Sequence, residues 1–317
     1  MHKFWNVMIK PSTRSFFQEA KRTPGFSLFD RLHGYVYARW PYFYIGVGTG
    51  EHWIVRKLKP LVSWIGKRLA QHGTKEGDRE EKERATFADA YHGKVVPLEA
   101  AEQLVTIDRE IQLTNLEKII PYSVAKDIIM KNPNHIVVLD CPCRVVRDNP
   151  CEPLDVCLVI GEPFASFVAE HHPNRSRWIT PEEAVEILRA EDERGHVHHA
   201  FFKDAMLGRF YAICNCCSCC CGAMQAHRHG IPMLACSGYV ARVNSDSCIG
   251  CGTCTESCPF GALSMRNDAA VVDTAVCMGC GVCVSKCEKG ALSLRRDQNK
   301  GEPLEIAQLM ERVSTTV

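Results

Sequence analysis

The chemistry in this sequence is carried by sulfur: 19 of its 317 residues are cysteine. The octad Cys-Asn-Cys-Cys-Ser-Cys-Cys-Cys over 214–221 sets Cys214, Cys216, Cys217, Cys219, Cys220 and Cys221 within one short run. Upstream lie Cys141-Pro-Cys143-Arg, then Cys151 and Cys157, in loops stiffened by Pro142, Pro150 and Pro153. Downstream, Cys248, Cys251, Cys254 and Cys258 have the spacing C-x2-C-x2-C-x3-C, which recurs at Cys277, Cys280, Cys283 and Cys287, 29 residues on. Gly-Ala-Leu-Ser repeats at the same offset (261–264 and 290–293), so the stretch is an internal duplication. An odd cysteine count, adjacent thiols and the absence of an apolar core of signal-peptide length in Met-His-Lys-Phe-Trp argue against a disulfide framework. Crowded thiols oxidise unless bound. The pattern therefore reads as thiolate ligation of soft metals in a reducing compartment, the cytoplasm.

The duplicated run, with Pro259 after Cys258, resembles a two-cluster bacterial ferredoxin over about residues 244–297. That resemblance implies two [4Fe–4S] clusters, each taking three cysteines from one run and the fourth from the other. One set is Cys248, Cys251, Cys254 and Cys287; the other is Cys277, Cys280, Cys283 and Cys258. Three thiolates two residues apart wrap one face of a cube, and the intervening glycines let backbone N–H groups approach the sulfurs. Zinc also binds paired Cys-x2-Cys, but two complete four-cysteine runs in tandem match it poorly. Glu288 stands where the first run has Pro259; its carboxylate disfavours adding an electron nearby, and Lys286 and Lys289 oppose that effect.

The octad has two faces. In an extended chain Cys214, Cys216 and Cys220 point one way and Cys217, Cys219 and Cys221 the other; in a helix Cys216 pairs with Cys220 and Cys217 with Cys221. Either way it suits two sites, with Cys141, Cys143, Cys151 and Cys157 as further ligands. One or two additional iron–sulfur clusters are expected there, zinc being the alternative for so soft a donor set. Isolated Cys236 reads as a small core residue. The Cys-Pro-Cys-Arg turn and the Ile-Cys-Asn-Cys-Cys-Ser-Cys-Cys-Cys-Gly run ahead of the duplicated tail are similar to a family of long ferredoxin-like proteins from anaerobes, over about 118–297. This second resemblance implies electron carriage. His-Val-His-His (196–199) reads as a strand with one exposed imidazole face, and His-Arg-His (227–229) as cations beside a cluster. There is no P-loop, Rossmann fingerprint, CxxCH or CxxxCxxC.

The elements that must position these thiols are less even. With 46% apolar and 24% charged residues the composition is that of a soluble globular protein, and a net charge of +1 argues against a nucleic-acid binder. Residues 1–75 nevertheless hold 13 Lys and Arg against 3 Asp and Glu, and 14 of the 26 aromatic residues. Such an arm suits an anionic surface: the inner membrane face, a partner subunit, or the acidic remainder of the chain. Within it, 54–69 has the spacing of an amphipathic helix. The reading continues with a charged run at 73–84, a helix over 97–120, a short helix over 122–131 and a strand from His135 to Asp140 ending at Cys141. A strand at 156–161 follows, then a helix opened by Thr180-Pro-Glu-Glu183 and closed before Gly195, and strands at 196–202 and 210–214 that pair. The predicted architecture is α+β: a basic aromatic arm (1–75), a mixed cysteine-rich domain (76–240), a duplicated ββ/α two-cluster domain (241–300) and a tail (301–317). The predicted function is iron–sulfur electron transfer, as a relay subunit between a donor and an acceptor protein rather than an enzyme. The alternative is a redox enzyme whose unusual catalytic centre sits at the upstream cysteines and is fed by the duplicated domain.

Overall fold

The computed structural model describes residues 10–57, 90–114, 116–122 and 127–314. Its strands are β1 (Tyr91–Val95), β2 (Ile111–Leu113), β3 (Ile128–Asp140), β4 (Asp155–Glu162), β5 (Ser176–Ile179), β6 (Val197–Lys203), β7 (Arg209–Cys216) and β8 (Leu234–Ala235). They form one eight-stranded sheet in the order β2-β3-β4-β7-β6-β1-β8, with β5 also paired to β3. The pairings are antiparallel except that of β1 with β8. Apolar runs such as Ile136–Leu139 and Val156–Ile160 lack polar alternation because both faces of the sheet are covered. Ile136, Val138, Leu158 and Ile160 enter one core, and Val137, Leu139, Cys157 and Val159 the other.

The first of these cores lies under α4 (Leu98–Val105) and α7 (Pro181–Glu193). Thr180 caps α7, its hydroxyl accepting the Glu183 N–H at 3.2 Å. The opposite core lies under α1 (Pro11–Arg22), α2 (Leu28–Arg39), α6 (Phe164–His171) and α8 (Gly222–Arg228), with α3 (Pro41–Gly48) and the single turn α5 (Pro142–Val145) at its edge. Much of the basic aromatic segment is thus part of this core. Phe16 and Ala20 are fully buried, Tyr37 bonds Tyr211 hydroxyl to hydroxyl at 2.7 Å, and Glu19 pairs with Lys131 at 2.8 Å.

Several local expectations change. The helix expected over 97–120 stops at Val105; Ile111–Gln112–Leu113 alternates buried, exposed, buried and joins the sheet as β2. The helix expected over 122–131 is replaced from Ile128 onward by β3, whose Ile128 and Met130 point into the core; residues 123–126 lie outside the described part. His198 and His199 are both buried, overturning the expected exposed imidazole face, because β6 runs between β7 and β1 with helices on both sides. Of the amphipathic stretch 54–69 only 54–57 is described, and the rest lies outside the described residues.

The duplicated domain pairs β9 (Tyr239–Val243) with β12 (Leu292–Arg296), and β10 (Leu263–Arg266) with β11 (Ala269–Val272). Between the strands lie α9 (Thr253–Ser257) and α10 (Val282–Ser285), whose starts differ by the same 29 residues as the cysteines. Met278 and Val282 are buried in the sheet's aromatic core, which joins the two parts. The expected tail is no appendage: Leu304 and Ile306 are buried, and α11 (Ile306–Ser314) returns to the core under α4.

Candidate metal centres and the cavity beside them

Each half of the duplicated domain delivers its cysteines through left-handed glycines, a backbone that side chains resist. Gly279 has a φ of 65°, and a Cβ there would fall 2.1 Å from the Tyr239 carbonyl oxygen. The resulting loops gather Cys248, Cys251, Cys254 and Cys287 around a cavity of 130 Å³, and Cys258, Cys277, Cys280 and Cys283 around an adjoining pocket. The fourth cysteine of each run therefore lies with the first three of the other. Backbone N–H groups point at three of the sulfurs: Ala241 to Cys277 at 3.4 Å, and Ala262 to Cys258 and Ala291 to Cys287 at 3.3 Å each. Burial pushes the Cys283 thiol up to about 12, with Cys258 and Cys277 adding to it. The first quartet opens outward through exposed Cys251 and Ile249, whereas Cys280 of the second packs on the sheet's core.

Upstream, the octad divides differently from either regular geometry. β7 ends at Cys216, the chain turns over 217–220 with Cys221 N–H donating to the Cys217 carbonyl at 3.2 Å, and α8 starts at Gly222. That turn sends Cys220 to the side of Cys217 and Cys219, and returns Cys221 to the side of Cys214 and Cys216. Cys217, Cys219 and Cys220 meet Cys151, and all four Sγ atoms lie within 4.8 Å of one another. Among the described residues it is the one such gathering of thiols, imidazoles or carboxylates. Burial raises the Cys219 thiol, but the bonds from Cys151, Cys220 and Cys217 outweigh it and leave it below its ordinary value. Burial pushes Cys220 up to about 11.

The other six thiols form a string at one end of the central strands β4 and β7. Cys157 and Cys214, partners across β4 and β7, have sulfurs 3.4 Å apart, and Cys216 and Cys221 are 3.3 Å apart. Cys143 bonds both Cys141 and Cys221. The bond to Cys143, with burial, holds Cys141 well above its usual value, and the bond to Cys157, with burial, does the same for Cys214. Arg144 of the Cys-Pro-Cys-Arg turn anchors this region. Its guanidinium donates to Glu191 at 2.6 Å and to the Asn215 carbonyl at 3.0 Å, and both ion-pair partners are 1% exposed. Cys236 stands apart, half-buried, its thiol 3.3 Å from the Met278 sulfur.

A cavity of 590 Å³ opens beside the string, lined by Cys141, Cys143, Cys157, Cys214, Cys216 and Cys221 and by Lys203 with Tyr37, Tyr44, Tyr91 and Tyr211. No single stretch of sequence announces it. Tyr211 reaches it because β7 carries one extra residue between the partners of Phe201 and Phe202, which turns both Tyr211 and Ala212 to the same face.

The donor chemistry decides what these sites fit. Eighteen neutral thiols would have no reason to gather into such groups in low dielectric, whereas metal ions supply the positive charge that thiolates need. In the duplicated domain, two all-sulfur quartets with backbone N–H groups aimed at them fit iron–sulfur clusters. Four sulfurs around one tetrahedral ion at a metal–sulfur distance of about 2.3 Å stand about 3.8 Å apart. Ligands of a four-iron core stand farther apart, since each sits outside its own iron. The Cys151 quartet, within 4.8 Å, is on the single-ion scale.

Comparison with known proteins agrees on the end of the chain. The family model of the 4Fe-4S dicluster domain matches residues 241–288. A "Probable ferredoxin" of Methanosarcina thermophila is 51% identical over 35 residues, which are 11% of this chain and 60% of that protein. The chain thus spans about 60% of that relative's length. Residues 241–288 form a ferredoxin-type iron–sulfur domain.

Proposed function

We propose that this protein is an iron–sulfur electron relay in which Cys248, Cys251, Cys254 and Cys287 hold one [4Fe–4S] cluster and Cys277, Cys280, Cys283 and Cys258 the other. The carrying observation is the arrangement of the quartets, one open to solvent at Cys251 and one seated against the sheet's core. When bound, such clusters take up and release single electrons. The chain's own part is to exclude water with Met278 and Val282 and to aim the Ala241, Ala262 and Ala291 amides at the sulfurs. A partner docks at the open quartet. The six-thiol string holds a further iron–sulfur centre, and the Cys151 quartet holds one tetrahedral ion, zinc or iron. The exposed Leu28, Phe29 and Leu32 of α2, within the cationic segment, suit docking to a membrane face or a partner subunit in the cytoplasm.

Anaerobic quantification of iron, sulfide and zinc, with EPR during stepwise reduction, tests this. About eight irons belong to the ferredoxin domain, about four to the string and one further ion to the Cys151 quartet. Cys219→Ala should remove that single ion and leave the spectra of the two ferredoxin-domain clusters in place. Fewer than about eight irons per chain, or no signal on reduction, would refute the relay.

The large cavity favours a second reading, in which the string carries a catalytic redox centre fed by the ferredoxin domain. A relay needs no chamber, whereas an enzyme needs room for substrate next to its centre.

A further inference from the structure

We propose that the 590 Å³ cavity is a binding site for a small organic carboxylate with an apolar, ring-sized body, its anionic end at Lys203 and its body directed at the six-thiol string. The inference rests on the second reading only for its biological purpose, since the binding itself depends on the chain's own side chains. The volume exceeds what a metal centre would use. Eight heavy atoms, each given the ~30 Å³ that a water takes in the liquid, occupy about 240 Å³. More than half of the cavity remains, room for about a dozen ligand atoms.

The lining suits that chemistry. Lys203 is 2% exposed, and its ammonium sits over the rings of Tyr37, Tyr91 and Tyr44 at 4.8, 4.9 and 5.4 Å. Three electron-rich faces stabilise the cation but supply no negative charge. The neighbouring carboxylate, Asp204, forms a long ion pair with the ammonium at 3.8 Å, and the same oxygen also accepts the Ala205 N–H at 2.5 Å. A buried ammonium held by one long ion pair and three rings still has room for a closer, second anionic partner. Burial also lowers the Lys203 amine to about 8, so it is charged near neutrality and gains most from a counter-ion. Phe201, Met206 and Tyr211 add apolar wall to the cavity. On β6 Lys203 lies four residues beyond His199, which pairs with Cys214, a separation of about 13 Å along the strand. A bicyclic carboxylate is on the scale of that backbone separation.

The test uses the anaerobically purified, metal-loaded protein and 2-naphthoate, with 2-naphthalenemethanol as its uncharged counterpart. Calorimetry should show one saturable naphthoate site per chain at micromolar to millimolar concentration. Lys203→Gln should weaken naphthoate by about ten-fold or more, the loss of one charge-assisted contact, and leave the alcohol nearly unchanged. Ala226→Trp, at the half-buried mouth, should weaken both. In the unaltered protein, naphthoate should protect Lys203 from amine acylation read by peptide mass mapping, a measurement that needs no variant. Absence of saturable binding, binding indifferent to both variants, or no protection of Lys203 would overturn the site. None of these outcomes touches the relay, which stands or falls on cluster count and reduction.

Discussion

Replacing Arg144 by methionine tests whether the Cys-Pro-Cys-Arg turn is held by charge. The guanidinium joins four pieces of chain: the turn itself, Glu191 of α7, the carbonyl of Asn215 in β7, and the carbonyl of Pro153 next to the Cys151 loop. Arg144→Met leaves the Glu191 carboxylate buried. The bonds that remain to it are His196 at 2.6 Å and Arg194 at 3.0 Å. Breaking one side of a buried pair costs about 3–5 kcal/mol, and these surviving partners place the loss near the lower end, about 3 kcal/mol. That is a large share of the roughly 5–15 kcal/mol that stabilises a domain. Removing both charges, in Arg144→Met with Glu191→Met, should recover most of it because neither partner is then left unpaired. Urea unfolding of the anaerobic protein, followed by circular dichroism, reads the cycle, and iron and zinc content read the consequence for the thiols. The single variant should lose upstream metal before ferredoxin-domain iron. A cost below about 1 kcal/mol, or a double variant no better than the single one, would refute the assignment of this network as the anchor.

Three other perturbations act on close backbone contact, a buried charge and the C-terminal core. Gly279→Ala drives a Cβ into the Tyr239 carbonyl at 2.1 Å from a left-handed backbone, so it should cost the ferredoxin domain about half its iron, read by iron content and EPR. Lys94, buried and donating to the Glu302 carbonyl at 2.8 Å, has its amine lowered to about 8 by burial. The native state therefore sheds this proton before the unfolded chain does, and stability should rise by about 3 kcal/mol between pH 8 and 10.5, a gain absent below pH 8. Lys94→Met should flatten the slope over that window relative to the parent, and an unchanged slope would count against it. Ile306→Ala should destabilise by about 2–4 kcal/mol in urea unfolding, because the C-terminal segment is core rather than tail.

What the sequence shows of this protein depends on how far apart the cooperating residues lie. In the ferredoxin-type domain, ligand spacing, glycines and strands all repeat within 29 residues, so a local pattern carries the site. β4, β6 and β7 are legible for the same reason, as short apolar runs between turns. The failures arise where coverage of a surface decides the outcome. Periodicity cannot tell that β6 is covered on both sides, so His198 and His199 look half exposed when they are buried. Nor can it tell that the helix begun at Leu98 ends at Val105 and leaves Ile111–Leu113 to pair as a strand. The cavity is hidden furthest, since Tyr37 and Tyr211 meet across 174 residues.

The octad shows the boundary between these regimes. Its composition suits two sites, and its regular periodicities give a different grouping for Cys220 and Cys221 from the one observed, because a turn of 217–220 follows neither period. The turn has a chemical consequence. It places consecutive residues Cys216 and Cys217 in different thiol groups, about one Cα step apart. On the proposed assignment a single ion in the Cys151 quartet fixes the turn from outside, while the string behind it faces the cavity. Metal in the outer site would then hold the inner thiols in register much as Arg144 does from the other side. Loss of the outer ion in Cys219→Ala should loosen Cys216 and Cys221, detectable as faster alkylation of those two thiols than of Cys157. Equal rates at all three would separate the two sites and confine the quartet to a local role.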